Sequence, residues 1–538
     1  DYMSSGNVKV CGAHRTFYRD FNIEEIDKVS KRLHKQYGNI VKVEGLLGRP
    51  DMVFLYDANE IERIFRQEEK MPLRPSMPSL DYYKHVLRKD FFGTNVAGVI
   101  AVHGESWYHF RSKVQQVMLQ PRTANMYIGA IEEASSAFVR RINTIRDERD
   151  EVPDNFLNEI NKWSLESIAR VALDTRLGCM DDDANLETQR LIDAVHTFFT
   201  NVGILELKIP FWKVFPTPTW RQYVEALDTI VNFTSKYTKI ALERARTMEH
   251  EGERKELSLL ERVLKLDGNE NEKTATILAL DLFLVGIDTT ANAVASVLYH
   301  LACHPSKQAI LHDEIERELP VGDMQIDRKH VDKLPYLRAC IKETMRMRPV
   351  VIGNGRCTTR ETTIGGFQVP KGIQVIFQHY VISNQEEYFP RCDEFLPERW
   401  LRESDARHAF ASLPFGYGRR MCLGRRFAEL EMIIVISKVI ISMLYFVPRK
   451  RKLCACLGKK GENRNFHVIF LVYYRAQGFC AKGFRVIIWL PLRKTLENSS
   501  TFVQKTAYKN VSFFYLKKME IKKIKTIILR VERKFKKM

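Results

Sequence analysis

Between Ile131 and Trp163 apolar residues recur every three or four positions within two runs: Ile131, Ala134, Phe138, Ile142 and Ile145, then Phe156, Ile160 and Trp163. That spacing places them on one face of a helix, so the stretch 131–180 predicts amphipathic helices packed against a core. The pattern changes between Thr274 and His304, where nearly every position is apolar until Pro305 stops the run. A helix that is apolar all round is a buried one, and about thirty residues at roughly 1.5 Å each reach about 45 Å, enough to cross a large domain. Asp281 and Asp288 interrupt the run, which argues against a membrane span. Short β-rich runs stand at Ile40–Glu44 and Gln374–Phe377, bounded by Gly and Pro. A further helix is predicted from Arg425 to about Met443. Up to residue 447 the chain therefore reads as mostly α with a small β portion, without internal repeats.

Composition changes this picture at one end only. The net charge of +18 over 538 residues suggests a nucleic-acid partner until it is located. From Pro448 to Met538 there are 24 Lys and Arg, four Glu and no Asp, which leaves 60 basic and 62 acidic residues in the first 447. The body is nearly neutral, so no nucleic-acid surface is implied for it. The tail 448–538 is rich in Lys, Ile, Phe, Tyr and Asn, residues that A/T-rich non-coding sequence yields on translation. It reads as disordered or as a misread gene end, with a basic extension for an anionic membrane or nucleic acid as the other reading. Ten scattered cysteines with no Cys-x-x-Cys pair argue against a zinc ribbon and a disulfide framework, and fit a reducing compartment. The chain begins at Asp1, so an N-terminal targeting or anchoring segment is expected to precede it.

The most specific chemistry lies in Phe415-Gly-Tyr-Gly-Arg-Arg-Met-Cys422-Leu-Gly424. It reads Phe-x-x-Gly-x-Arg-x-Cys-x-Gly, a pattern that average residue usage gives a chain of this length roughly once in ten thousand. It resembles the haem-ligand loop of the cytochrome P-450 family. The resemblance implies a mostly α fold of that family over 1–447, with haem b held by Cys422 as a thiolate that helps cleave the O–O bond. Phe415, Arg420 and Gly424 would contribute to the cofactor site, with Arg419 and Arg420 keeping the sulfur ionised. Gly418 and Gly424 would let backbone pass where a Cβ would collide with the porphyrin or strain a turn.

Other motifs agree with the same resemblance. Gly286-x-Asp288-Thr289-Thr290 is a polar island in the apolar helix and is similar to the family's oxygen-activating motif, with Val285 in the usual small position. It implies proton delivery by Asp288 and Thr289 through a helical turn that Gly286 would open; taken alone, both residues could simply pack or cap within a helix. Glu343-x-x-Arg346, followed by Pro397-Glu-Arg399, resembles the family's locked core behind the haem, a structural role. Trp107 and Arg111, one helical turn apart, offer only donors and would suit the haem propionates, as would Arg356. Cations at a helix N-terminus oppose the macrodipole, so Arg425 and Arg426 need another explanation. With Arg338 and Lys342 they occupy positions at which the mitochondrial branch docks an acidic ferredoxin. The segment Leu207–Trp220 also looks mitochondrial, closest to insect members.

The resemblance thus implies a monooxygenase that puts one atom of O2 into a small lipophilic substrate. It implies a mitochondrial location on the matrix side of the inner membrane, with peripheral membrane contact. A haem isomerase or dehydratase would not need the proton relay. A haem-binding protein without turnover is the alternative, because the family's C-terminal pocket hairpins have no match in the tail.

Overall fold

The computed structural model of the chain describes residues 10–12, 25–44, 48–93, 98–148, 151–181, 185–250, 257–266, 272–319, 326–401 and 407–446. The segment 448–538, read above as an unmatched tail, lies outside them. Among the described residues there are seven short strands: β1 (Val10–Gly12), β2 (Ile40–Glu44), β3 (Met52–Leu55), β4 (Asn354–Cys357), β5 (Thr362–Ile364), β6 (Phe367–Val369) and β7 (Gln374–Phe377). The two β runs predicted from sequence are thus strands with the predicted ends. The larger sheet has the order β1-β2-β3-β7-β4. In it β3 runs parallel to β7, with Met52 opposite Gln374, and β7 runs antiparallel to β4, with Arg356 opposite Val375. Val41, Val43, Val53, Leu55, Val375 and Phe377 are buried in a core of their own.

The helices of nine residues or more are α1 (Ile26–Tyr37), α2 (Ala58–Arg66), α3 (Gly104–Met118), α4 (Ile128–Ile145), α5 (Phe156–Leu173), α6 (Leu186–Leu207), α7 (Pro218–His250), α8 (Glu272–Cys303), α9 (Pro305–Glu318), α10 (Pro335–Met347) and α11 (Arg425–Phe446). As its apolar circumference required, α8 lies in the middle, packed against α5, α7, α10 and α11. It is long and apolar enough to cross a membrane by length and composition, but 78% of its most apolar window is buried within the protein, as in a core helix. Pro305 ends α8 and opens α9, where a missing N–H costs nothing. The next opening is stabilised across elements: Glu314 of α9 accepts the amides of Tyr336 and Leu337 at 2.7 and 2.9 Å, meeting two orphan donors in the first turn of α10.

Candidate active site

Cys422 lies between a 3-10 turn, Gly418–Arg420, and the start of α11. Its amide donates to the Phe415 carbonyl at 2.9 Å, closing the loop. Gly416 and Gly418 have φ of +68° and +75°, which glycine adopts without strain. A Cβ on Gly418 would also overlap the Glu68 carboxylate. Around Gly424, by contrast, no described protein atom comes within 4 Å of a built Cβ.

The Cys422 side chain is exposed by area, yet crowding by protein is the largest influence on its thiol and pushes its pKa up. Both observations fit a sulfur that opens onto an enclosed space. The Gly424 amide and the charges of Arg111, Arg74 and Arg425 act the other way. The expectation that Arg419 and Arg420 ionise the sulfur is corrected here. Arg419 is exposed. Arg420 turns aside: Nε donates to the Pro72 carbonyl and Nη1 to the Val102 carbonyl, each at 3.0 Å, and its guanidinium lies 3.6 Å from the centre of the Trp107 ring.

Trp107 and Arg111 come from α3 and are both buried. Arg111 donates to the Met421 carbonyl at 2.9 Å, directly beside Cys422. Arg356, on β4, pairs with Glu68 at 2.6 Å. Burial pulls the guanidinium pKa of Arg420 down, and Arg74, Arg356 and Arg111 add their repulsion. Arginine remains charged in proteins, so the cluster is a focus of positive potential. Arg356 Nη2, Arg420 Nη2 and His103 Nδ1 are buried there and make no hydrogen bond within the described residues. The two guanidinium Nη2 groups are donors whichever way the His103 ring is protonated, and buried donors without a partner call for an explanation. An anion with several acceptor oxygens fits them, as the two carboxylates of haem b would. Sequence reasoning missed Glu68, Arg74 and His103, which belong to loops without regular spacing.

On α8, Leu282, Val285, Gly286 and Thr289 are partly exposed although their neighbours are buried. The spacing i, i+3, i+4, i+7 makes them one stripe of an otherwise enclosed helix. Thr289 is on the stripe; Asp288 is turned about 100° from it into the core. Burial pushes the Asp288 carboxyl up to about 7, against a smaller lowering by Asn292, and its Oδ2 has no partner. The opened turn expected at Gly286 is not present. The helix continues through it, and the Thr289 hydroxyl donates back to the Val285 carbonyl at 2.7 Å. A Cβ at Gly286 would come within 2.8 Å of Ile168 Cδ1, the far end of a side chain on α5 that can turn aside.

Glu343 and Arg346 are wholly buried on α10. Oε1 accepts from Arg346 Nη2 at 2.9 Å and from Arg399 Nε and the Leu396 amide at 3.0 Å. Oε2 accepts from Arg346 Nε at 2.9 Å and Trp400 Nε1 at 2.8 Å. The Trp400 contact was not foreseen. Nearby, Lys342 and Arg426 are exposed, Arg338 is half-buried with a salt bridge to Asp332, and Arg425 reaches Glu429 at 2.9 Å. α10 and α11, which carry these four cations, pack together.

Comparison with known proteins agrees with this geometry. A family model described as cytochrome P-450 matches residues 14–453. The chain belongs to the cytochrome P-450 family. Three fruit-fly (Drosophila melanogaster) proteins are among its relatives. Probable cytochrome P-450 49a1 is 49% identical over 432 residues, 78% of this chain and 73% of the relative. Probable cytochrome P-450 301a1, mitochondrial, is 47% identical over 427 residues, 78% and 77% of the two. Probable cytochrome P-450 12a5, mitochondrial, is 38% identical over 436 residues, 78% and 80%. The fold, haem with cysteine-thiolate ligation and monooxygenase activity follow from the family.

Proposed function

We propose that Cys422 is the thiolate ligand of this cytochrome P-450 and that Trp107, Arg111, Arg356 and Arg420 seat the haem carboxylates. We further propose that a small lipophilic substrate lies against the Leu282, Val285 and Thr289 stripe. The observation that carries this reading is the meeting of Cys422, two buried guanidinium donors without partners among the described residues, Arg356 Nη2 and Arg420 Nη2, and a cationic cluster contributed by distant parts of the chain. Bound haem supplies the redox-active iron at which O2 is split, one oxygen entering the substrate and the other leaving as water. The chain's own residues do the rest. Apolar stripe residues exclude water and orient a lipophilic molecule. Asp288 holds a proton it can exchange near neutral pH, and the Thr289 hydroxyl stands at the edge facing the substrate.

Electrons come, on this reading, from an acidic ferredoxin docked on Arg338, Lys342, Arg425 and Arg426, a face whose charge would steer it. Relatives named mitochondrial support a mitochondrial location, and the proposed ferredoxin donor would put the chain on the matrix side of the inner membrane. The segment between α6 and α7 supports peripheral membrane contact, because Phe211, Val214 and Phe215 are exposed. The test is a carbon-monoxide difference spectrum on the full chain, with turnover driven by ferredoxin and by a diflavin reductase in parallel. A thiolate-type band that Cys422→Ser abolishes, with turnover from ferredoxin, is the expected result. Survival of the band in that variant refutes the ligand, and turnover from the diflavin reductase alone refutes the electron donor.

A further inference from the structure

We propose that Glu68 is a positioning residue of the haem site: its buried carboxylate sets the Arg356 guanidinium and the Cys422 loop in one arrangement and holds down the reduction potential of the bound iron. This rests on the haem reading above. Glu68 stands two residues past α2, and its side chain and that of Arg356 are each 6% exposed. Oε1 accepts from Arg356 Nε at 2.6 Å. Arg356 Nη1 is held on the Gly355 carbonyl at 2.8 Å, and the guanidinium lies 5.0 Å from the centre of the Phe65 ring on α2. A guanidinium is a planar fork of donors, so fixing Nε and Nη1 fixes where the third nitrogen points. That nitrogen, Nη2, has no partner among the described residues.

The other carboxylate oxygen reaches the Cys422 loop. Oε2 accepts the Arg419 amide at 3.4 Å, the long end of the range, and a Cβ on Gly418 would overlap it. Residues 68–73 lace the same two elements together. On the loop side, Arg420 Nε donates to the Pro72 carbonyl at 3.0 Å. On the strand side, the Cys357 amide donates to the Leu73 carbonyl at 2.9 Å, and Thr359 Oγ1 donates to Glu69 Oε1 at 2.8 Å. Glu68 does both with one side chain.

The charge matters as well as the contacts. Arg74, Arg356 and Arg111 repel Arg420, and Glu68 offsets them. A carboxylate enclosed in such a cluster acts through protein rather than salt water, so it is screened far less than a surface charge. Reduction of haem iron adds one electron, and a fixed anion nearby opposes it. Replacing Glu68 by a neutral group of the same shape therefore favours the reduced state. A residue that only held the fold together would leave that equilibrium where it is.

The experiment uses the haem-loaded full chain with Glu68→Gln and Glu68→Asp. If the wild type binds no haem, the haem reading falls and this proposal with it; if it does, the variants test Glu68 alone. Glu68→Gln removes the charge and keeps the shape. Its haem is expected to pass to excess apomyoglobin about tenfold faster, the scale of one lost charge-assisted hydrogen bond. Its reduction potential, from a dithionite titration with a redox dye, is expected to rise by about 59 mV, a tenfold change in a one-electron equilibrium. Glu68→Asp keeps the charge but is one methylene too short to reach Arg356 and the Arg419 amide together. It should lose haem faster than wild type while keeping the wild-type potential. Haem transfer at the wild-type rate in either variant, or an unchanged potential in Glu68→Gln, overturns the proposal. If Glu68→Gln retains no haem, Glu68→Asp carries both readings: faster transfer at the wild-type potential supports the proposal, and wild-type transfer or a shifted potential overturns it.

Discussion

Glu343→Gln removes one charge from the most enclosed network in the protein without changing its size. The wild-type carboxylate accepts five bonds, three on Oε1 and two on Oε2. Glutamine has one acceptor oxygen. Its best placement puts that oxygen toward the three donors and turns its own N–H2 against Arg346 Nε and Trp400 Nε1, so at least two bonds become donor against donor. At about 1.5–3 kcal/mol for each charge-assisted bond, the loss is about 3–6 kcal/mol. Breaking a buried ion pair by removing one partner gives a similar figure, about 3–5 kcal/mol. Against a total stability of about 5–15 kcal/mol, this change threatens folding itself. The assay is the yield of soluble protein carrying the thiolate-type ferrous carbonyl band, together with urea denaturation of what is obtained. Glu394→Gln is the control, because Glu394 pairs with Arg391 on the surface and should give no measurable change. A Glu343→Gln protein within about 1 kcal/mol of wild type, with full haem content, would refute the reasoning.

Thr289→Ala removes a hydroxyl from the open stripe without touching the core. Haem content should stay normal, while product formed per electron falls by about tenfold or more and peroxide rises; unchanged coupling would show that the hydroxyl has no part in proton delivery. Glu431 is buried between α11 and α5, accepts from Ser167 at 2.6 Å, and burial pushes its carboxyl up to about 7. A raised folded pKa means the protonated form is favoured on folding, so its contribution is full below the unfolded value near 4.5 and declines as pH rises through about 7. Glu431→Gln should therefore match wild type near pH 4 and exceed it above pH 7 by up to about 3 kcal/mol, read as denaturation midpoints across pH; equal pH slopes would contradict it. Lys342→Glu and Arg426→Glu, both on the exposed basic face, should raise the ferredoxin concentration for half-maximal reduction by about tenfold at low salt, with the difference fading as salt screens it. Salt-independent reduction would disprove charge-steered docking.

Legibility in the sequence followed how local each cause was. The central helix was readable to within two residues because its apolar run and Pro305 are contiguous signals, and strands β2 and β7 because alternation and turn residues bound them. Cys422 stood out because Phe415, Gly418, Arg420, Cys422 and Gly424 stand together in one contiguous pattern, and the structure adds a reason for Gly418 in its positive φ and its approach to Glu68. Glu343 was foreseen with Arg346 and Arg399, but Trp400 was not, since an indole beside a Pro-x-Arg segment has no spacing rule that points it at a carboxylate. Glu68, Arg74 and His103 were missed for the same reason. Each lies in irregular backbone, and each acquires its role only when β4, α3 and the Cys422 loop come together. The opened turn at Gly286 failed differently: a glycine in a helix was read as flexibility, whereas the helix runs through it unbroken.

The cationic cluster also says why folding and cofactor binding belong together in this chain. Arg420 is disfavoured as a cation by burial and then by Arg74, Arg356 and Arg111, while Glu68 favours it. Those four arginines come from three loops or strands and one helix, far apart in sequence, so the fold that assembles them works against their mutual repulsion. Two carboxylates placed among the buried free Nη2 atoms of Arg356 and Arg420 would reverse the sign of that interaction and meet both donors at once. The same ligand, bound at Cys422, would also remove the penalty on ionising a crowded sulfur. On the proposed reading, each half of the site is unfavourable by itself and would become favourable with the haem in place. A ligand that binds only the folded chain stabilises it by mass action, so loss of haem should loosen α3, β4 and the Cys422 loop before it disturbs the distant sheet core around Val41 and Val53.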